Sequence, residues 1–447
     1  MKACKLFNPD KTRVRLASRK AVEMYFARCA ANGINDCWLD IANRYRVAAT
    51  NTYDRDLDKN RVDHSALIEY ISASAPAHLI DGWSYLARAS DAILRGDLSA
   101  AIHFSYYAEL RAAMSLLACE GIGIFNQNHP LIDQSGFSTS PLKMIKGWNK
   151  KKKKFIQQRA GTHKAVWPLL YHWGSLKRAA DLIEELVMPD GYSLQQWLNA
   201  LHIPTPTRFI SKEWLTTWGT DLTRLNEDHE SRNMASYRPS EFRLPPAPNA
   251  PNAIEFISDL WRLLEPTAGG KFPQLEKELL KKIVSSSGKP ITSADLQSNL
   301  GMAPSVASNW QAFLTSTVEP KPLVFSEECS DVDHADCAFQ VSSRAALLLF
   351  LATGSTRKHL VNAGYSQEQL EFFWRRLCEV RFDGPASDLP NDPIDLWSDI
   401  EANLLDADAW RSTALPNTSL GEWRKAQPEV MNQIVSFELA VVWGLVS

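Results

Sequence analysis

Residues 96–121 read GDLSAAIHFSYYAELRAAMSLLACEG, and this stretch decides the fold. Asp97 is a typical helix N-cap and Gly121 a natural helix stop, so the residues between them predict one long helix. Apolar side chains recur at intervals of three and four residues along it, at Ile102, Tyr106, Leu110, Ala113 and Leu117. Alanine and serine at the intervening positions allow another helix to approach closely. The stretch therefore predicts a helix inside a helical bundle.

Helical periodicity extends from this stretch in both directions and predicts a mainly α protein. The predicted helices lie within residues 18–31, 65–71, 162–173, 175–187, 211–221, 228–236, 254–264, 272–284, 291–314 and 342–447, the last interrupted at 383–393. The run AALLLFLA at 345–352 is too short to span a bilayer and predicts a buried helix. No βαβ alternation and no internal repeat is evident.

A chain of 447 residues is too long for one ordinary core, so several domains are expected. The segment LPPAPNAPN at 244–252 contains four prolines, which sustain neither a helix nor a central strand. We therefore predict a helical domain over 1–243, a linker over 244–253, a helical region over 254–320 and a C-terminal helical region over 321–447.

The composition is that of a folded globular protein, because 45% of the residues are hydrophobic and 22% are charged. With a formal net charge of −2, any binding to a polyanion needs a local basic patch. No apolar run reaches the roughly 18–20 residues that span a bilayer, and the N-terminus lacks the apolar core of a signal peptide. Seven scattered cysteines fit reduced thiols. We expect a cytoplasmic protein with no membrane contact.

Motifs for common enzyme classes are missing from the sequence. It has no glycine-rich phosphate loop, no Gly-x-Ser-x-Gly elbow and no His-Glu-x-x-His zinc helix. The segment 329–337 holds Cys329, His334 and Cys337, one ligand fewer than a structural zinc site needs. An acidic surface loop is the simpler interpretation, so we predict neither a metal nor a cofactor.

The strongest electrostatic signal lies in residues 141–164, which contain nine basic residues and no Asp or Glu. The basic residues and an interleaved tryptophan are Lys143, Lys146, Trp148, Lys150, Lys151, Lys152, Lys153, Lys154, Arg159 and Lys164. Such a stretch suits the phosphate backbone of RNA or DNA, with the indole as a stacking surface. The alternative is a solvated basic loop without a partner.

A second polar segment, residues 291–314, predicts two short helices joined by a turn at Leu300 and Gly301. This pattern resembles a helix-turn-helix or winged-helix element, in which the second helix reads bases. The second helix offers Ser305, Ser308, Asn309 and Gln311 but neither Arg nor Lys, so structural packing competes with DNA binding as its role.

A dense charged cluster spans residues 224–239. Its candidate phosphate-binding and catalytic residues are Arg224, His229, Arg232, Asn233 and Tyr237, followed by Arg238. Arginine supplies planar donors to phosphate, and imidazole has an unperturbed pKa near 6.5 that suits proton transfer. An exposed helix end without function is the alternative.

The helix at 98–119, followed much later by a helix containing RNMASY (232–237), resembles HEPN domains over about residues 80–240. The resemblance implies a helical bundle of the kind found in bacterial toxin–antitoxin and antiphage systems. Catalytic members are dimeric, metal-independent endoribonucleases. They carry an Arg, a polar residue, three to five further residues and a His on a late helix, where Arg stabilises the phosphate and His handles protons.

Two segments match that motif in part. Arg224 and His229 have the required spacing, but Leu225 replaces the usual polar residue. Arg232 and Asn233 begin the motif, but Tyr237 and Arg238 stand where His is expected.

The sequence leads to one main hypothesis and two alternatives. The main one is an RNA-directed effector, a HEPN-like endoribonuclease in bacterial defence or stress, whose basic stretch 141–164 holds RNA. The first alternative is a non-catalytic helical subunit that binds a protein partner or a second copy of itself. The second is a DNA-binding regulator that uses residues 291–314.

Overall fold

The computed structural model describes residues 4–32, 36–138, 140–149, 151–204, 210–223, 225–237, 247–267, 271–326, 336–382 and 389–446. The chain is mainly α-helical, which confirms the predicted fold class. The helices are α1 (Asn8–Leu16), α2 (Arg19–Ala31), α3 (Ala49–Asp58), α4 (His64–Leu94), α5 (Leu98–Cys119), α6 (Thr162–Trp173), α7 (Lys177–Leu186), α8 (Leu194–Ala200), α9 (Ile210–Thr217), α10 (Leu225–Tyr237), α11 (Ala250–Leu263), α12 (Pro273–Ser286), α13 (Ser293–Leu300), α14 (Pro304–Thr315), α15 (Lys321–Phe325), α16 (Cys337–Ala363), α17 (Glu371–Phe382), α18 (Trp397–Thr413), α19 (Leu420–Ala426), α20 (Pro428–Ile434) and α21 (Leu439–Val446). The described residues also form two strands, β1 (Met144–Asn149) and β2 (Lys154–Arg159), and short 3-10 helices at Pro189–Gly191, Glu368–Leu370 and Pro393–Leu396.

The stretch 96–121 contains α5, as predicted. The Asp97 carboxylate accepts a hydrogen bond from the backbone N–H of Ala100 at 3.0 Å, and Gly121 lies just beyond the helix in the left-handed region with φ 76°. Every residue of the predicted apolar stripe is buried. The helix is therefore a core element, and its position determines where its polar residues can reach.

Helices α4, α5 and α16 form the centre of the molecule. Ser105 on α5 shares a hydrogen bond of 2.7 Å with Ser342 on α16, and the Trp83 indole of α4 donates to Thr353 at 3.0 Å. Gly82 permits this close packing, because a Cβ there would lie 2.6 Å from Leu349 Cδ2. A side chain at residue 82 would have to displace the buried side chain of Leu349.

Helix α4 is far longer than the predicted segment 65–71 and runs through Pro76, which is buried within it. Pro168 likewise lies inside one continuous helix, α6, rather than kinking or restarting it. In both helices the buried apolar face offsets the hydrogen bond that proline removes.

Helix α16 contains the predicted buried run 345–352. Among the described residues it is the single helix long and apolar enough to cross a membrane, and 89% of its most apolar window is buried inside the protein. The bent pair α20 and α21 would pass the same test if it were one span. The buried position of α16 explains its apolar composition.

The predicted linker at 244–253 contains the start of α11. Asn249 caps this helix by accepting a hydrogen bond from the backbone N–H of Asn252 at 2.8 Å, and Ala250 and Ala253 are buried. One hydrophobic cluster extends from Leu6 to Val446 across the predicted boundary. Proline lies at the start of a helix here, since the first helical turn tolerates it. The division into domains stays a prediction. Residues 244–246 lie outside the described part of the chain.

The lysine-rich stretch forms an antiparallel hairpin that the sequence reading did not anticipate. Strand β1 pairs with β2 in the register Met144 with Arg159 through Asn149 with Lys154. The backbone of Lys5 adds two further hydrogen bonds of 2.8 Å to Lys146. The hairpin leads directly into α6, because β2 ends three residues before Thr162.

The predicted pair of short helices at 291–314 is present as α13 and α14, with Gly301 between them at φ 68°. The Gln311 amide donates to the backbone carbonyl of Ile291 at 3.0 Å and accepts from the N–H of Ser293 at 3.2 Å. One of the four polar side chains predicted to face bases thus holds the helix pair together. DNA binding by this element stays a prediction.

Candidate functional site

Polar and aromatic side chains from α5, α6 and α10 meet in one cluster, which we call the α10 site. Its members are His103, Tyr106 and Tyr107 on α5, His163 on α6, and His229, Arg232, Asn233 and Ser236 on α10. The residues on α5 and α10 are each spaced three or four apart or adjacent, so each set lies on one face of its helix.

Arg232 lies at the centre of the α10 site and is only 5% exposed. Its guanidinium donates to the Tyr107 hydroxyl at 3.2 Å and to Asn233 Oδ1 at 2.9 Å. Its Cζ atom lies 5.4 Å from the Tyr106 ring centroid and 5.2 Å from that of Tyr107. Aromatic faces and neutral acceptors thus surround the positive charge, and among the described residues no carboxylate forms an ion pair with it.

Two histidines are stacked beside the arginine. The rings of His163 and His229 lie 5.1 Å apart with an interplanar angle of 15°. Tyr106 shares a hydrogen bond of 2.9 Å with His163 Nδ1. Because Arg232 donates to Asn233 Oδ1, the Asn233 amide nitrogen faces His229 and donates to Nε2 at 3.4 Å. The arginine therefore orients His229 through an intervening amide.

His103 reaches α10 one turn further along. Its Nδ1 atom and the Ser236 hydroxyl share a hydrogen bond of 2.6 Å, and its ring lies 4.9 Å from that of Tyr107. Three histidines from three helices thus lie around the same tyrosine and arginine side chains.

A separate ion network holds α10 against the core. Asp228, buried on this helix, accepts from Arg344 of α16 at 2.7 and 3.2 Å. Glu109 of α5 lies 3.6 Å from the same guanidinium. This network fixes the rotation of α10, so that Arg232 and His229 face α5 and α6.

The environment lowers the pKa of all three histidines. Burial is the main cause for His229, and His163, Arg232 and Lys164 add to it, which lowers the pKa to about 4. Burial and then Arg232 also lower the pKa of His163 and of His103. Burial is likewise the main reason that the Tyr106 pKa is raised. At neutral pH the site therefore contains neutral imidazoles and phenol around one guanidinium.

The predicted catalytic residues are partly brought together. His229, Arg232 and Asn233 contact one another or a shared neighbour, whereas Tyr237 is 75% exposed, with its ring centroid 5.9 Å from Arg232 Cζ. Arg224 and Arg238 lie outside the described residues. The partial motif match formed by Arg224 and His229 therefore stays a prediction. His229 precedes Arg232 along α10, the reverse of the order in the HEPN motif.

Sequence reasoning missed His103, His163, Tyr106, Tyr107 and Ser236 as site residues. His103 and both tyrosines lie in the very helix that carries the HEPN resemblance, but Tyr106 was assigned to the core stripe alone. A signal was present in the run HFSYY, where four hydrogen-bonding side chains occur within five residues of a largely apolar helix.

The predicted nucleic-acid-binding residues lie along the hairpin and the start of α6. Lys143, Lys151, Lys152, Lys153, Lys154, Arg159 and Lys164 are exposed, and Lys146 and Trp148 are half-buried. Lys150 lies outside the described residues. Lys164 connects this surface to the α10 site, because its ammonium donates to Gln158 on β2 at 3.5 Å and its charge lowers the pKa of His229.

Within the described ranges no group of three or more His, Cys, Asp or Glu side chains is arranged to hold a metal ion. Cys329 and His334, from the predicted acidic loop, lie outside those ranges.

The chain matches no protein-family model, and neither a curated protein nor a solved structure matches it. The resemblance to HEPN domains therefore stays a prediction. The function has to be inferred from the geometry of the α10 site.

Proposed function

We propose that the protein is an endoribonuclease whose centre is the α10 site, acting in bacterial defence or stress as the HEPN resemblance suggests. The observation that carries this proposal is the convergence of His163 and His229 beside the buried guanidinium of Arg232. A guanidinium that has no carboxylate partner among the described residues attracts a phosphodiester, and two adjacent imidazoles supply a base and an acid.

The reaction needs two proton transfers. One neutral imidazole accepts the proton of a ribose 2′-hydroxyl, whose oxygen attacks the adjacent phosphorus. The P–O5′ bond breaks, and the leaving oxygen takes a proton from the second imidazole in its protonated form. The products are a 2′,3′-cyclic phosphate and a 5′-hydroxyl, and Arg232 holds the non-bridging oxygens throughout.

The lowered histidine pKa values fit this scheme. At pH 7 both rings are neutral in the free protein, which suits the base. A bound phosphodiester places negative charge beside the rings and favours protonation of one of them, which supplies the acid. Before the substrate binds, the hydrogen bonds of Tyr106 with His163 and of Asn233 with His229 hold the two rings in place.

The test is cleavage of a fluorescein-labelled single-stranded RNA in EDTA, with its all-deoxy counterpart as substrate control. We expect cyclic phosphate products from the RNA and none from the DNA, because the nucleophile is the 2′-hydroxyl. His163→Ala, His229→Ala and Arg232→Ala should each slow cleavage about 100-fold or more. His202→Ala, at a side chain that is 69% exposed and remote in sequence, is the matched control and should cleave normally.

Cleavage that persists in all three site variants would contradict the assignment, and an uncut substrate with the wild-type protein would contradict the function itself. The second result would favour the competing proposal of a non-catalytic interaction subunit. One observation supports that alternative: Arg232 already joins α10 to α5 through Tyr107, a stabilising role that needs no substrate. It predicts that Arg232→Ala lowers stability with no effect on RNA.

A further inference from the structure

One face of the hairpin combines cations with aromatic rings. Register pairs of antiparallel strands point to the same side, so Lys146, Trp148, Phe155 and Arg159 share a face. On the other side Ile145 is fully buried. We call the first side the aromatic face. The hairpin is therefore a two-sided element with one side anchored in the protein.

The rings and the ammonium groups alternate on this face. The Trp148 and Phe155 rings lie 5.2 Å apart at 72°, so the edge of one ring meets the face of the other. Lys5 Nζ lies 4.8 Å from the Phe155 centroid, and Lys146 Nζ lies 5.0 Å from the centroid of Phe7. The N-terminal segment thus adds a lysine and a ring that the sequence alone did not connect with residues 141–164.

The far end of the hairpin adds charge without contributing rings. Asn149 Oδ1 accepts from the backbone N–H of Lys152 at 2.8 Å, and Lys153 adopts a left-handed conformation with φ 48°. This turn projects the exposed Lys151, Lys152 and Lys153 from the tip. Positive charge therefore extends from the tip along β2 to Arg159, four residues before His163 in the α10 site.

We propose that the aromatic face binds single-stranded RNA and leads it to the α10 site. Bases stack on aromatic rings while neighbouring lysines meet the phosphates, and stacking of this kind is tolerant of sequence. A duplex keeps its bases stacked internally, so a ring surface favours unpaired strands. The proposal rests on the proposed function for the direction of the strand, but strand binding is measurable without cleavage.

The probe is a 5′-fluorescein-labelled 12-mer of uridine, measured by fluorescence anisotropy in the His229→Ala background with EDTA at fixed salt. Trp148→Ala should weaken binding about 10-fold or more, since one stacking platform is lost. Trp148→Phe should restore most of the affinity, which separates stacking from folding. Replacing Lys151, Lys152 and Lys153 with Gln should weaken binding and reduce the slope of log affinity against log salt concentration by about 2, because each phosphate contact to a single strand contributes about 0.7.

Lys177→Gln is the matched control, because this lysine lies on α7 and its side chain is 87% exposed. It should leave the affinity unchanged. Equal affinity for a 12-bp RNA duplex would overturn the assignment to single strands, because a duplex keeps its bases stacked internally. So would a Trp148→Ala variant that keeps its fold and its affinity.

The two proposals can fail separately. Suppose that wild-type protein cleaves the dinucleotide UpA but that binding of the 12-mer does not depend on Trp148. This result would support the ribonuclease proposal and overturn the proposal that the aromatic face binds RNA. Trp148-dependent binding of the 12-mer without any cleavage would retain the face and overturn the ribonuclease.

Discussion

Two buried arginines, Arg232 on α10 and Arg344 on the neighbouring α16, have opposite surroundings. Arg344 and Arg232 are each 5% exposed. Arg344 makes an ion pair with Asp228 and lies beside Glu109, whereas Arg232 bonds to a tyrosine hydroxyl and an amide. The first guanidinium is neutralised inside the protein, and the second retains its charge among neutral groups.

The difference separates a structural arginine from one suited to a ligand. A buried charge with carboxylate partners has its solvation replaced by the protein, and removing it strands those carboxylates. The charge of Arg232, buried among tyrosines and histidines, raises the local electrostatic potential. Burial is the main cause of the lowered pKa of His103, His163 and His229, and Arg232 lowers each of them further. An anionic ligand would stabilise such a site.

The largest expected effect is on stability, at Arg344. Arg344→Met should lower the free energy of unfolding by about 3–5 kcal/mol, because Asp228 and Glu109 lose their buried cation. Arg232→Met should cost about 1–2 kcal/mol, since it removes two hydrogen bonds to neutral groups and leaves no charge behind. Urea denaturation of both variants measures the contrast. Equal losses of unfolding free energy would show that the two arginines contribute equally to stability, which would contradict this distinction.

A substitution at Asn233 should give Arg232 a carboxylate partner, as Arg344 already has. Asn233→Asp places a carboxylate where Arg232 already bonds to an oxygen, so the unfolding free energy should rise by about 0.5–1 kcal/mol. RNA cleavage should fall at least 10-fold, because the new anion competes with phosphate. Asn233→Ser is the control, which removes the amide without adding charge. Faster cleavage in the aspartate variant would contradict the phosphate role of Arg232.

The smallest effect is a pH dependence of stability. The folded-state pKa of His229 is about 4, below its usual value near 6.5, so the unfolded chain binds more protons between these values. Stability from this group is complete above about pH 6.5 and is lost as the pH falls towards 4. His229→Phe should therefore lose less thermal stability than wild type between pH 7.5 and 5. An identical loss in both proteins would show that His229 is not held neutral.

Much of the fold was predictable because a helix is specified by local sequence signals, such as its cap residues and its apolar periodicity. The cap at Asp97, the stop at Gly121 and the apolar stripe between them specify α5 without knowledge of the rest of the chain. The hairpin has no such signals. Its turn uses Lys153 at positive φ, where glycine or asparagine is the usual signal, and β1 alternates between buried and half-buried residues that include Gly147.

The α10 site was predictable only on its own helix. His229, Arg232 and Asn233 lie within five residues of one another, so a motif could bring them to attention. His103 and His163 join them only after α5, α6 and α10 pack together, and Ser236 lies 133 residues beyond its partner His103. Contacts at that separation depend on tertiary structure and leave no periodicity in the sequence.

The position of α16 also has a consequence for biosynthesis. Its contacts with α4 and α5 connect residues that are synthesised far apart, since α5 ends at Cys119 and α16 begins at Cys337. A ribosome that adds roughly 5–20 residues per second needs on the order of 10–45 s to cover that interval. During this time the nascent chain exposes the surface of α5 that α16 later covers. Newly made protein is therefore at risk of aggregation until residues 337–363 have emerged.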